Sequence, residues 1–299
     1  MEFAAHKYAC IDKSPFVSQS LSGSKLGASK VKAAFLVSSI WDQPEIKIAF
    51  MDGTQKQKLW VQKIIDENLA PLTTKLKFIW NAPIESSDVR ISFALPDQAW
   101  STIGKQAKQV PKNQPTMNLG WIDDDVQFDA PQYKNTGQVV MHEFGHAMGM
   151  IHEHQNPKEN PIVWNKKVVS SELRRSNGWN DDDINQNMFE KYGDAELCKT
   201  DKRYCGEDKL TNGSVYDVTS IMHYFYPQTW ITSGPSKIPA NKTFSTLDKE
   251  WLSKYYSTLK NTPPAEEEVE SYSTTNRQRI LQVLIVVLYI IIMYMLFST

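Results

Sequence analysis

Residues 141–154 read MHEFGHAMGMIHEH, and five of the chain's six histidines are His142, His146, His152, His154 and His223. His142 and His146 are four apart, so on a helix they lie one turn apart on one face. Two imidazoles at that separation can hold one Zn²⁺ at about 2.0–2.1 Å each. Glu143 follows the first of them and leans toward the open coordination position, which suits a general base for a zinc-bound water rather than a ligand. Gly149 lets the helix stop and the chain turn sharply, bringing His152 round as the third ligand. Three neutral imidazoles plus one water make an open catalytic site for a single zinc, not a closed structural one. A zinc ion there lowers the pKa of its water toward about 7. The bland alternative is a helix surface carrying two solvated histidines, and Gly149 and His152 at these offsets argue against it. His154 reads as a bystander to the metal, with a fourth imidazole ligand as the alternative.

The elements that must position this helix are legible upstream of it. Glu45–Phe50 alternates Ile46, Ile48 and Phe50 with polar neighbours, as in a half-buried strand. Thr54–Ala70 carries Leu59, Trp60, Ile64, Ile65 and Leu69 at helical spacing, and Pro71 ends it. Lys75–Trp80, Asp88–Leu95 (Val89, Ile91, Phe93, Leu95) and Thr116–Trp121 are predicted strands, and Gly137–Met148 is the histidine helix. This β-α-β-β-β-α order predicts an α+β fold with an α/β-like N-terminal half: a mixed, mostly parallel sheet with helices packed on it. After Pro157 the chain is less regular. A last helix is predicted from Thr246 to Leu259, opened by a capping box of Ser245 and Asp248.

The 299 residues, 41% hydrophobic and 22% charged, fit a globular chain and exclude wholesale disorder. A net charge of −1 lacks the footprint of a nucleic-acid binder. Three cysteines are too few for a disulfide scaffold. Ile280–Phe297 (ILQVLIVVLYIIIMYMLF) carries no charge and predicts one transmembrane helix, hence a single-pass C-terminal anchor contacting membrane lipid. Arg277 and Arg279 precede it and nothing basic follows, which predicts a cytosolic large domain, at a host membrane if the source is a virus. The N-terminus carries no apolar stretch of the signal-peptide kind. The expected organisation is therefore an N-terminal arm or pro-like segment at 1–40, a catalytic domain at 41–258, a polar linker at 259–279 and the membrane helix at 280–297.

His142-Glu-Phe-Gly-His146-Ala-Met-Gly149-Met-Ile-His152 resembles H-E-x-x-H-x-x-G-x-x-H, the signature of the metzincin zinc proteases. Downstream, Tyr216–Tyr224 (YDVTSIMHY) is similar to the astacin-type Met-turn. The resemblance implies a metzincin fold with an active-site helix and a less regular C-terminal subdomain. It implies that Met222 is the apolar floor beneath the histidines. It implies that Tyr224 is an additional zinc ligand, released to stabilise the oxyanion; a phenol O–H suits that developing charge. Glu153 matches the astacin glutamate that pairs with the matured N-terminus and supports the Met-turn. Met188–Tyr192 (MFEKY) and Thr243–Tyr256 extend the likeness, which spans about residues 40–258.

The chain departs from that family in several places. There is no F-x-G-D aspartate switch, and Cys10 lies in YACIDK rather than in a matrixin-like setting. HQNPKENP follows Glu153 where R-x-D-R-D is common. Cys198 and Cys205 are near enough to bridge, with a reduced pair as the alternative, and an insertion is expected near Gly178–Asp208. The strand ending at Gly120 is expected to be the sheet edge that pairs with an extended peptide, with Trp121 bordering the cleft or packed in the core. Asp123–Asp125 reads as a solvated acidic loop, with Ca²⁺ binding as the alternative. The whole predicts a zinc metalloendopeptidase acting on protein or peptide. Two alternatives stay open: a catalytically silent, zinc-stabilised, membrane-tethered interaction module, and a metal-dependent hydrolase of a non-peptide bond.

Overall fold

The computed structural model describes residues 35–36, 39–96, 98–124, 133–156, 160–190, 211–212, 216–223, 225–236 and 238–257. Strand β1 is Phe35–Leu36 and β2 is Glu45–Phe50. In β2, Ile46 and Ile48 are buried and Glu45 and Lys47 exposed, the alternation expected of a pleated strand. Helix α1, Gln55–Asn68, opens on a capping box between Thr54 and Gln57. It buries Trp60, Val61, Ile64 and Ile65. Leu59, expected in that apolar stripe, is instead 46% exposed.

Strands β3 (Lys77–Ile79), β4 (Val89–Ser92), β5 (Ala99–Ser101) and β6 (Met117–Leu119) complete a sheet in the order β3-β2-β4-β6-β5. The β2–β3, β2–β4 and β4–β6 pairs are parallel, and β5 runs antiparallel to β6. A mostly parallel sheet with helices is the predicted fold class, and it fits a metzincin-like architecture. Two details differ from the sequence reading. β5 was not foreseen, because three residues are too few to display a period of two. Its presence moves the strand ending at Gly120 from the sheet edge to an interior position, so the edge on this side is β5. β4 also stops short of Leu95. Asp52 accepts from Ser92 Oγ and from Phe93 N, both at 2.6 Å, which takes the chain out of the ladder and leaves Leu95 40% exposed.

Helix α2, Tyr133–Ala147, packs on α1 and β5. Val140 and Phe144 enter the same apolar cluster as Ile48, Ile91 and Met117. Strand β7 (Val163–Trp164), helix α3 (Lys166–Asn177) and helix α4 (Asp181–Ile184) follow, and α4 runs on into a π-helical turn at Asn185–Phe189. Strand β8 (Thr211–Asn212) pairs with β1, and β9 (Ile231–Ser233) pairs with β7. Helix α5, Thr246–Tyr256, begins at Ser245 with the predicted capping box. A second cluster gathers Val169, Leu173, Ile184, Met188, Tyr226 and Trp230.

The expected membrane localisation is corrected. Among the described residues no helix is long and apolar enough to cross a membrane. The longest, α2, has 15 residues, which at about 1.5 Å each reaches well short of a bilayer core of about 30 Å. The Ile280–Phe297 run on which the single-pass, cytosol-facing reading rested lies outside the described residues. So do the linker, most of the N-terminal arm, Cys10, Cys198 and Cys205.

Candidate metal centre

Helix α2 turns Val140, Phe144 and Ala147 into the core and carries His142 and His146 on its other side, both buried. The helix ends by a Schellman motif: Met150 N donates to Gly145 O at 3.0 Å and Gly149 N to His146 O at 2.8 Å. Gly149 sits at φ 96°, a conformation that side chains resist. That turn delivers His152 to the other two rings. One nitrogen from each of His142, His146 and His152 lies within 4.8 Å of the others. His146 Nε2 and His152 Nε2 are 2.9 Å apart. Two ligands about 2.0–2.1 Å from one tetrahedral zinc would be roughly 3.3 Å apart.

Hydrogen bonding sets the ring orientation. His142 Nδ1 donates to Ile221 O at 2.8 Å, and His146 Nδ1 donates to Met150 O at 2.9 Å. A carbonyl accepts only, so Nδ1 carries the proton and each Nε2 presents a lone pair inward. Burial pushes the pKa of His142 down to about 3 and that of His146 down to about 4, with the His146 charge adding to the effect on His142. Burial, followed by the neighbouring imidazoles, also holds His152 well below the usual histidine range. Three buried imidazoles, neutral at pH 7, with two tautomers pinned, are a donor set that fits zinc.

The segment after Gly149 docks on the turn that carries Met222. Glu153 N donates to Met222 O at 3.0 Å. Its carboxylate accepts from Asp217 N and from Asn156 Nδ2, both at 2.9 Å. Burial raises its pKa to about 8. Met222 is fully buried beside α2, and a Cβ on Gly145 would stand 2.5 Å from its sulfur, so glycine there permits the close approach. Glu143 is buried on α2 next to His142. Tyr224 lies outside the described residues. Trp121 is half-buried at the end of β6, and Asp123 and Asp124 are exposed. Among the described residues the histidine trio is the only group that could hold a metal.

Sequence reasoning missed Asp248 as part of this site. Its carboxylate accepts from Ser220 Oγ at 2.8 Å and from Ile221 N at 2.8 Å, in the turn whose next atoms hold His142. Its one sequence signal is the capping box with Ser245, and its partners in the site lie 27 and 28 positions away. Asn241, whose side chain donates to Val218 O and Ser220 O, gave no signal.

Gly149→Ala is expected to destabilise the fold by about 1–3 kcal/mol through backbone strain and to weaken metal binding by displacing His152. Gly178 caps α3 at φ 69° with nothing within 4 Å of an added Cβ. Gly178→Ala should therefore lower the denaturant midpoint while leaving zinc affinity unchanged, and paired denaturation and chelator titrations check the contrast.

No protein-family model and no curated protein matches this chain. Among solved structures it is similar to that of myroilysin, with a TM-score of 0.63 and 28% identity over 76% of this chain and 99% of that one. A crystal structure of myroilysin also matches, with a TM-score of 0.48 and 27% identity over 78% and 92%. A third match is high choriolytic enzyme 1, a hatching-enzyme zinc protease from the medaka fish Oryzias latipes, with a TM-score of 0.42 and 14% identity over 77% and 99%. The first of these matches is a likeness of fold over 76% of this chain at 28% identity.

Proposed function

We propose that this chain is a zinc-dependent endopeptidase that hydrolyses peptide bonds in proteins or peptides. One observation carries the reading: three buried histidines bring one nitrogen each within 4.8 Å of the others, and the residue after His142 on α2 is the buried Glu143. His142, His146 and His152 would hold the ion. When bound, zinc supplies a Lewis acid that polarises the scissile carbonyl and acidifies a water. Glu143 takes the proton from the attacking water and passes it to the leaving amine. Tyr224, two residues beyond Met222, helps hold the developing oxyanion. Substrate would lie extended on the β5 side of the sheet, the last strand in its order. Glu153 and Met222, joined by the Glu153 N to Met222 O hydrogen bond, would keep the third histidine in place. An intact Glu143 favours this reading over a silent zinc-stabilised module, which has no use for a base.

The full chain, purified with zinc, should contain about one equivalent of the metal by elemental analysis and should cleave denatured protein. A strong chelator should abolish cleavage and added zinc should restore it. A folded chain that carries no stoichiometric metal, or whose cleavage survives the chelator, would overturn the reading.

A further inference from the structure

The mechanism above makes no use of His154, yet this side chain is buried and held at every edge. Its Nε2 lies 2.8 Å from Asn187 O, so that nitrogen carries the proton and donates. Its Nδ1, 2.8 Å from the Tyr226 hydroxyl, is then an acceptor and Tyr226 donates to it. Trp164 and Tyr226 meet the ring edge-on, at centroid distances of 5.9 Å and 5.5 Å. The ring so fixed lies nearly parallel to that of His152, 20° between planes and 5.3 Å between centroids.

The π-helical turn makes this arrangement possible. Glu190 N donates to Asn185 O, five residues back, rather than to Gln186 O. The shift releases the Gln186 carbonyl, which accepts from Gln155 Nε2 at 2.8 Å, while Asn187 O takes His154. The carbonyls of this last turn are thus capped by the two side chains that follow Glu153. Met188 and Tyr226 anchor the other side of the clamp in the second apolar cluster.

We infer that His154 is a positioning residue for the third metal ligand: pinned by Asn187 O and Tyr226, it presents a fixed ring face against which the His152 imidazole is held at the angle that metal binding requires. His142 and His146 are oriented by backbone carbonyls. His152 follows a turn, and the stacked His154 ring, together with a side-chain hydrogen bond to Gln155, limits its rotation. The inference rests on the three histidines binding a metal. It ties zinc affinity to the packing of the π-turn and of Tyr226.

The test uses the full chain, with zinc affinity measured by competition against a chromophoric chelator and with the visible spectrum of the Co²⁺-substituted protein. His154→Ala removes the ring face, and Tyr226→Phe removes one hydrogen bond while keeping the packing. His154→Ala should weaken zinc binding about 10- to 100-fold, as loss of an outer partner of a ligand does. Tyr226→Phe should weaken it roughly three- to tenfold, the worth of one buried hydrogen bond. Both should shift the Co²⁺ bands, which a merely structural role would leave in place. Should His154→Ala not fold, Tyr226→Phe decides. Zinc affinity within twofold of the unaltered chain together with an unchanged Co²⁺ spectrum would overturn the inference while leaving the endopeptidase reading intact. An unaltered chain that binds no zinc would instead remove the reading on which both rest.

Discussion

Glu143→Gln is expected to lower kcat/KM on a peptide substrate by about 10²- to 10⁴-fold while leaving one zinc per chain in place. Glutamine keeps the shape and volume of the side chain, so α2 and its buried face are undisturbed. What it loses is the ability to accept and return a proton. Glu143 is 1% exposed and stands beside His142, whose own Nδ1 is committed to Ile221 O. With both pinned imidazoles keeping their Nδ1 protons, the carboxylate is the proposed base on α2. The decisive comparison is between metal content and turnover in the same preparation. Parallel loss of zinc and activity would make Glu143 a structural residue, and turnover within tenfold of the parent would end its assignment as the base.

The parts of this site that were legible in the sequence are those governed by local geometry. A spacing of four on a helix puts His142 and His146 on one face whatever surrounds them. A glycine three residues past His146 stops the helix because a residue at φ 96° is nearly always glycine. Ser245 and Asp248 announced the start of α5 for the same reason. The misreadings have long-range causes. β5 is three residues long and owes its place to pairing with β6, 18 residues on, in the Ala99–Leu119, Trp100–Asn118 and Ser101–Met117 register. Arg90 occupies a fully buried position in β4 that composition rules reserve for apolar residues. It is tolerated there because its guanidinium donates to Gln114 O at 2.8 Å and Val110 O at 2.9 Å, closing the loop between β5 and β6. Leu59 and Leu95 satisfied the periodicity of their segments and are exposed all the same, since periodicity names a face without saying how far the covering layer extends. The His154 clamp was invisible for the same reason as the Asp248 contacts: each joins residues more than 25 positions apart.

Asp248→Ala is expected to lower the free energy of unfolding by about 3–5 kcal/mol, a large share of what a domain possesses. Three donors converge on this one buried carboxylate: Ser220 Oγ, Ile221 N and, at 2.9 Å, Ser245 N. Alanine leaves all three without their acceptor in the protein interior. Asp248→Asn should cost clearly less. An asparagine oxygen can serve the two backbone N–H groups while its amide faces the Ser220 hydroxyl, which is able to accept. The pH dependence has a definite sign. Burial raises the Asp248 pKa above the ordinary carboxylate value, so the native chain holds this proton more tightly than the unfolded one. Its contribution to stability is therefore greatest below the unfolded carboxylate pKa and declines as pH rises through the raised native one, a slope that Asp248→Asn should abolish. The loss also reaches the metal. The Ile221 residue is held at both ends, its N–H by Asp248 and its C=O by His142 Nδ1, so freeing one end lets the other drift. Denaturant titrations with and without zinc should show the Asp248→Ala chain losing roughly tenfold in zinc affinity on top of its intrinsic destabilisation. A midpoint shift worth less than about 1 kcal/mol would mean that the Met-turn is held by its own packing, and that the bond to α5 follows from the turn's shape instead of setting it.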